Sequence, residues 1–452
     1  MAERAKRTPA PTLQEAPSVV REAQSQVLSD LAIVVGAVYQ QVIEPTQAGR
    51  IPKRIANKLS PLLHGSRPSY YEQVDNYLDM IFTTAKTLQL IRIHTSLGQK
   101  ARYMPGPKLE EWANLQPFEQ VRALLQLWCN PSVHFWSDVA GVNYQPAGYG
   151  FNYYMDLHAA REALLDYITE ECQPGKWYAL ESFLQTIKAR NPMLLRERSR
   201  YAAYSGMRNR QEVLANWENA DGEMIAGLLA STLHEFGLVT TGYAADADDY
   251  EDLGNPVAFQ FTGLAAEVLW DQHLPAPDER VRTLIVQPNF ELLLLQPDYP
   301  TLYEVLPFAR VEQVEMVSRL TLTQESMRRG VEAGWSVERS IQILQERSQK
   351  ELPQNVLYTL QDWGRLYKDA TVTQVILLEV GSESVADEIC ASSKFRALGL
   401  RRLGPRAIAV GDQVSLQVLR STLEKDGVIL HIQGDILSAR DVTSASTYYG
   451  RR

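Results

Sequence analysis

The chain has 452 residues, 45% hydrophobic and 22% charged, with 26 Gly and 23 Pro; such proportions belong to ordinary globular protein of about three domains and exclude collagenous, low-complexity and wholly disordered classes. Its 45 Lys and Arg stand against 54 Asp and Glu, a net charge of -9, so no overall positive field draws the chain to phosphate polymers or anionic lipid, and any nucleic-acid contact has to be local. The longest apolar runs, Leu31 to Tyr39 and Phe290 to Leu295, fall short of the ~20 residues of a membrane helix, and Cys129, Cys172 and Cys390 are too few and too scattered for a disulfide framework or a four-cysteine zinc site. A cytoplasmic protein with no membrane contact is expected.

Residues 1–20, where Arg4, Lys6 and Arg7 precede Pro9, Pro11 and Pro17, read as a flexible tail. From Ser25 to Val42 the recurrence of Val27, Leu31, Val34, Val35 and Val38 predicts a helix. A second helix is expected in GRIPKRIANKLSPLL and a third in YEQVDNYLDMIFTTAKTLQLI, where Leu78, Ile81, Phe82, Ala85 and Leu88 share one face. Ile91, Ile93 and His94 then lead through a turn at Gly98 into MPGPKLEEW, a short hairpin. Three helices and a hairpin describe a winged-helix-like module over 21–129.

An irregular connector at 130–154, rich in Trp, Tyr, Phe, Pro and Gly, precedes a second winged-helix-like module at 155–272. Its expected helices are Met155 to Ile168, Trp177 to Ala189, and a run capped by Asp221 that buries Met224, Ile225, Leu228, Leu229 and Phe236. LVTTGY and VAFQFTGLAAEVLW supply a second wing and a closing helix, around a solvated acidic loop at 246–252. Pro275 and Pro277 mark the next boundary. The third domain, 281–435, mixes element types: strands in VRTLIVQPNFELLLLQ around Pro288-Asn289 and in VSRLTLT, helices in TQESMRRGVEAG, SVERSIQILQERSQ and QNVLYTLQDWGRLY, then strand and helix up to VILHI, with a tail at 436–452. The fold class expected is α+β, mainly helical.

IVQPNFELLLL at 285–295, LPFARVEQV at 306–314, SRLTLTQESMRRGVEAG at 318–334 and ILQERSQKELPQNVLYTLQDWG at 343–364 resemble the helicase-associated domain of the amino-terminal region of XPB-type helicases, also found in bacterial proteins beside winged helices. The resemblance rests on the order of a first strand, an FA-containing helix, an RLT strand feeding a helix, and an LPQNV helix ending in Trp363-Gly364. It implies a DNA-associated accessory protein. No G-x-x-x-x-G-K-[ST] string cradles nucleotide phosphates, GQK at 98–100 and PGKW at 174–177 being the nearest, so the helicase motor is not carried over.

Three clusters of cations are the candidate DNA contacts. Arg50, Lys53, Arg54, Lys58, Arg67, Lys86, Arg92, Lys100 and Arg102 face only Glu72, Asp75 and Asp79, and Arg50, Arg54 and Lys58 form one ridge if the second helix extends that far. Lys188, Arg190, Arg196, Arg198, Arg200, Arg208 and Arg210 meet Glu197 alone, with Tyr201 and Tyr204 among them; the bland alternative is a linker that neutralises the acidic loop. Lys394, Arg396, Arg401, Arg402 and Arg406 have no acid between Glu388 and Asp412, and Arg328 and Arg329 extend them. Against simple major-groove reading, Glu72, Asp75 and Asp79 occupy the third helix, and Glu223 and Glu235 the corresponding helix of the second module.

Enzymatic chemistry has little support in the sequence. Cys129 and His134 lack a second metal-spaced pair, and no G-x-S-x-G elbow or H-E-x-x-H pair occurs. The expected function is non-enzymatic: a DNA-binding accessory protein, without cofactor, that contacts the phosphates of duplex or single-stranded DNA and works beside a helicase or nuclease. The alternative is a protein–protein scaffold whose winged helices dock partners without touching DNA.

Overall fold

The computed structural model describes residues 16–65, 76–95, 100–132, 157–198, 210–244, 256–272, 282–366, 376–392, 395, 399–410 and 416–431. The chain divides into two compact units, Met1–Tyr367 and Lys368–Arg452. It is an α+β protein, with small antiparallel sheets among many helices.

The first unit opens with strand β1 (Val19–Arg21) and helix α1 (Gln26–Gln40), followed by α2 (Lys53–Leu59), a 3-10 turn at Ser60–Leu62, α3 (Asn76–Thr87) and the hairpin of β2 (Ile91–His94) and β3 (Arg102–Pro105). The expected order of three helices and a hairpin is therefore present; Gly98 and residues 66–75 lie outside the described residues. The tail expected to residue 20 is structured at its end, because Val19 and Val20 pair with Tyr243 and Gly242. Next come α4 (Leu109–Ala113) and α5 (Pro117–Trp128), the latter started by Pro117 and by a box in which the Gln116 side chain accepts from the Glu119 backbone while Glu119 Oε2 accepts from the Gln116 N–H at 2.8 Å.

The second segment contains α6 (Leu157–Glu171), β4 (Trp177–Ala179), α7 (Leu180–Arg190), α8 (Arg210–Ala215), α9 (Glu223–Ala230), α10 (Thr232–Glu235), β5 (Val239–Tyr243), β6 (Ala258–Phe261) and α11 (Gly263–Leu269). Its sheet runs β1-β5-β6-β4. Two expectations are corrected here. Trp177 to Ala179 begin a strand rather than a helix, since Trp177 and Tyr178 pair with Gln260 and Phe259 and the Tyr178 ring stacks on Phe259 at 5.6 Å. The helix expected from Asp221 to Phe236 is three pieces: a π turn at Glu218–Gly222, then α9, then α10 after a break at Ser231. Asp221 caps nothing there; it is buried within the π turn. The bulk of the 130–154 connector and the acidic loop at 246–252 lie outside the described residues.

The third segment builds a sheet in the order β7-β8-β10-β9 from β7 (Leu284–Val286), β8 (Glu291–Leu294), β9 (Arg310–Gln313) and β10 (Ser318–Thr321). Helices α12 (Tyr299–Val305), α13 (Gln324–Glu332), α14 (Val337–Arg347) and α15 (Gln354–Leu366) surround it. The FA-containing helix is corrected: Phe308 and Ala309 follow α12 in a turn, and Arg310 onward is strand β9. The helix lies earlier, where Asp298 caps α12 by accepting from Thr301 N at 3.1 Å.

Helix α1 is the axis of this unit. Every residue from Val27 to Val38 is buried, more than the one-faced pattern of its sequence requires, because α3 and β3 pack on it from the first module and β9, α12 and α13 from the third segment. Gly36 permits that approach: a Cβ there would lie 2.9 Å from Val311 Cγ2 and 3.1 Å from Leu306 Cδ2. Buried polar contacts bind the same elements, since Tyr299 OH bonds Ser29 Oγ at 3.1 Å and Trp112 Nε1 donates to Tyr303 OH at 3.0 Å. The third segment and the first module thus share one core.

The second unit contains β11 (Ile376–Glu379), α16 (Glu383–Ala391), β12 (Arg401–Gly404), β13 (Ala407–Val410) and α17 (Leu416–Lys425). Its antiparallel sheet runs β11-β13-β12, and one face carries Leu378, Ile408 and Val410 into a separate core with Ile389, Leu419 and Leu423.

Candidate nucleic-acid interface

The best-presented cations lie on α2 and the β2–β3 hairpin. Ile55, Ala56 and Leu59 turn inward, which leaves Lys53, Arg54 and Lys58 exposed. Helix α2 starts at Lys53, after Pro52, so the ridge expected from Arg50 onward is shorter: Arg54 and Lys58 lie one turn apart, and Arg50 sits in the preceding turn, where its carbonyl accepts from Thr46 N at 2.9 Å. Lys53 and Arg54 occupy the first turn, the positive end of the helix macrodipole, where a cation costs about 0.3–1 kcal/mol instead of stabilising. Helix stability does not account for them.

On the hairpin the register pairs Arg92 with Met104 and His94 with Arg102, which places Arg92, His94 and Arg102 on one face. The other face is anchored: Ile91 and Tyr103 are buried, Tyr103 N donates to Ile43 O at 2.9 Å, and the Tyr103 ring lies 5.3 Å from that of Phe82. Lys100 faces Glu44 at 3.4 Å with both groups exposed, a pairing of little energetic weight. Among the described residues, no carboxylate lies within ion-pair distance of Lys53, Arg54, Lys58, Arg92 or Arg102. Asp79, expected as a repulsive charge on α3, accepts from Ile51 N at 3.2 Å and so ties α3 to the start of α2; Glu72, Asp75 and Arg67 lie outside the described residues.

A buried carboxylate fixes the other end of α2. Asp30, on α1 and fully buried, accepts from His64 N and His64 Nδ1, both at 2.9 Å, from Gly65 N at 3.2 Å and from Tyr77 OH at 2.6 Å. The hydrogen bond to Asp30 raises the His64 pKa above its usual value, against burial and with help from the Asp30 and Glu315 charges. Gly65 is required by space, because a Cβ would fall 1.9 Å from Tyr77 Cζ. The sequence carries no spacing signal for this latch; 34 residues separate Asp30 from His64 and 47 from Tyr77.

The second cluster is drawn into ion pairs by acids distant in sequence. Arg196 Nη2 lies 2.9 Å from Asp221 Oδ2 and its Nε 3.1 Å from Oδ1, with side chains only 14% and 1% exposed. Arg190 pairs with buried Glu171 at 2.9 Å, Arg198 with Asp166 at 2.6 Å, and Lys188 with Glu218. Of the two predicted phosphate ligands in this group, Arg196 is largely enclosed with its carboxylate, whereas Arg198 and Asp166 form an exposed pair. Arg200, Arg208, Tyr201 and Tyr204 lie outside the described residues.

Arg328 and Arg329 both pair with Glu325 and Glu332 on their own helix, two cations against two acids, so they add no net positive edge. In the second unit Arg402 pairs with Asp387 at 2.7 Å and Arg406 Nε donates to Val380 O at 3.0 Å, whereas Arg401 is exposed with no ion-pair partner among the described residues. Lys394 and Arg396 lie outside the described residues.

Groups of catalytic type are placed as core. Burial, then the Glu171 charge, pushes the Cys172 thiol up to about 12, far from a thiolate. His234 is lowered to about 4 by burial first, with the Arg21 charge assisting and the hydrogen bond from Nδ1 to Val239 O, 2.7 Å long, opposing. Cys129 ends α5, and His134 lies outside the described residues.

A family model described as "helicase conserved C-terminal domain" matches residues 284–404, well under half of the chain. No curated protein matches. The matched stretch starts at β7, contains the sheet β7-β8-β10-β9 with α12 to α15, and runs on through β11, α16 and β12 of the second unit. The match makes this stretch similar to a helicase C-terminal domain, in the region where the strand-helix order of the sequence resembles a helicase-associated domain.

Proposed function

We propose that this protein is a non-enzymatic DNA-binding accessory factor that grips phosphates with α2 and the β2–β3 hairpin and works beside a separate helicase or nuclease. The observation that carries the reading is the set of exposed or half-exposed cations Lys53, Arg54, Lys58, Arg92 and Arg102, held on anchored elements without ion-pair partners among the described residues. The three-helix-and-hairpin order of the first module supports a winged-helix assignment, as does the α6-β4-α7-α8-α9-α10-β5-β6 order of the second. The helicase-associated match supplies the link to a nucleic-acid machine.

Phosphate neutralisation releases counterions, so the logarithm of affinity falls with the logarithm of salt with a slope of about -0.9 per contacted phosphate. Replacing Arg50, Arg54 and Lys58 by Glu weakens binding of a short DNA duplex or single strand and flattens that slope. Unchanged affinity and slope, with the fold intact by circular dichroism, overturn the reading. The scaffold alternative is favoured by the acid pairing of Arg190, Arg196 and Arg198; absence of DNA binding at low salt selects it.

A further inference from the structure

The segment from Ile43 to Pro52 is a strap that ties the two cation-bearing elements together. Tyr103 on β3 holds it at two points, since its N–H donates to Ile43 O at 2.9 Å and its OH to Gly49 O at 3.5 Å. The strap then closes on itself, with Thr46 N donating to Arg50 O at 2.9 Å and Arg50 N to Thr46 Oγ1 at 3.1 Å. Its far end is held by α3, where Asp79 Oδ1 accepts from Ile51 N at 3.2 Å. Ile51 is buried and Lys53 follows it after Pro52 alone, so this bond sets where α2 begins.

The same carboxylate acts on the hairpin. The Tyr103 pKa is raised above its usual value by burial first and by the Asp79 charge second. Asp79 therefore lies beside both β3 and the start of α2. By charge alone an acid in this place is a liability, because it repels the phosphates that the neighbouring cations would meet. As a first-turn acid it favours the dipole of α3, but that role sets no distance between α2 and the hairpin. Lys53, Arg54 and Lys58 on one element, and Arg92 and Arg102 on the other, meet the same phosphate backbone together only if the elements keep a fixed spacing.

We propose that Asp79 is a positioning residue of the phosphate grip: by holding Ile51 N it keeps the cations of α2 in register with Arg92 and Arg102, and this outweighs its repulsion of DNA. The role rests on the grip proposed above, and the variants below separate the two.

Charge and geometry are tested by crossed substitutions in the full chain, with binding of a short DNA duplex followed by fluorescence anisotropy over a series of salt concentrations. Asp79→Asn removes the charge but keeps an oxygen to accept from Ile51 N; its affinity is expected to equal or exceed that of the unaltered protein, with the same salt slope. Asp79→Glu keeps the charge but moves the oxygen by one methylene, and Asp79→Ala removes both. These two are expected to bind about tenfold more weakly at low salt, with a slope flatter by about 1.8, the share of two phosphates. Repulsion alone predicts the reverse order, a tighter Asn variant and a Glu variant like the unaltered protein, and that result overturns the proposal. An Asn variant as weak as the Glu variant also overturns it, as does a weaker Glu variant with an unchanged slope, which reports loss of folded protein and not loss of register. The Glu and Asn variants decide the matter if Asp79→Ala does not fold. No binding by the unaltered protein at low salt removes the grip and this role with it, whereas binding that responds to the Arg50, Arg54 and Lys58 substitutions but not to Asp79→Glu removes the role of Asp79 alone.

Discussion

Arg196 and Asp221 form a two-point ion pair, Nη2 to Oδ2 at 2.9 Å and Nε to Oδ1 at 3.1 Å, between the turn after α7 and the π turn before α9. Asp221 is almost wholly enclosed. Removing Arg196 leaves a buried carboxylate without its cation, and Arg196→Ala is expected to cost about 3 kcal/mol. Arg198→Ala, which breaks an exposed pair with Asp166, costs under about 1 kcal/mol. Urea denaturation of both variants measures the difference. Equal losses would show that enclosure of the Asp221 pair carries no weight.

His234 sets a limit on acid stability. Its folded-state pKa, about 4, lies below the unfolded value of 6.5, so between these values the unfolded chain binds more protons and stability falls as pH falls. The full effect is about 3 kcal/mol. His234→Gln is expected to flatten the stability profile from pH 6.5 to 4, whatever the change in stability at neutral pH. A profile of the same steepness would remove His234 as its source.

His64 acts with the opposite sign. Its folded pKa is raised above 6.5 by Asp30, so the stabilisation is complete below pH 6.5 and is lost as pH rises through the folded value. Proton NMR titration of the imidazole should place the midpoint above the unfolded value, and Asp30→Asn should bring it down. A midpoint at or below 6.5 in the native protein contradicts the latch.

Tyr77 OH is one of the donors around buried Asp30. Tyr77→Phe keeps the ring and removes the donor, at an expected cost of about 1.5–3 kcal/mol for a hydrogen bond to a charged group. Gly65→Ala fails differently, by collision with the same ring. Thermal melts of the pair should show both destabilised; a neutral Gly65→Ala would mean that the ring can move aside.

The matched segment of the first unit shares part of its core with the first module. Tyr299, Tyr303, Leu306 and Val311 are buried there, and the contacts named above set them against α1 and α4. A fragment of residues 282–367 exposes them and is expected to lack a cooperative melt, whereas residues 1–367 melt cooperatively. A sharp transition in the short fragment would refute the shared core.

Much of the element order was legible in the amino-acid pattern. The apolar recurrence of Val27 to Val38, the Pro288-Asn289 turn between two apolar runs and the helices at 324–347 all depend on neighbours a few residues apart, and the chain follows them. The errors arose where a distant strand decided. Trp177 to Ala179 satisfy helical spacing until β6 pairs with them, and Phe308-Ala309 read as helix until Arg310 joins β10. The α+β class and the placing of cations on α2 and the hairpin thus come from local sequence. Which cations stay open to an anion does not: Arg196 and Arg198 look as available as Arg54 until the fold brings Asp221 and Asp166 to them. Charge acts through space, and separations of 25 and 32 residues become 2.9 and 2.6 Å only after the chain has packed.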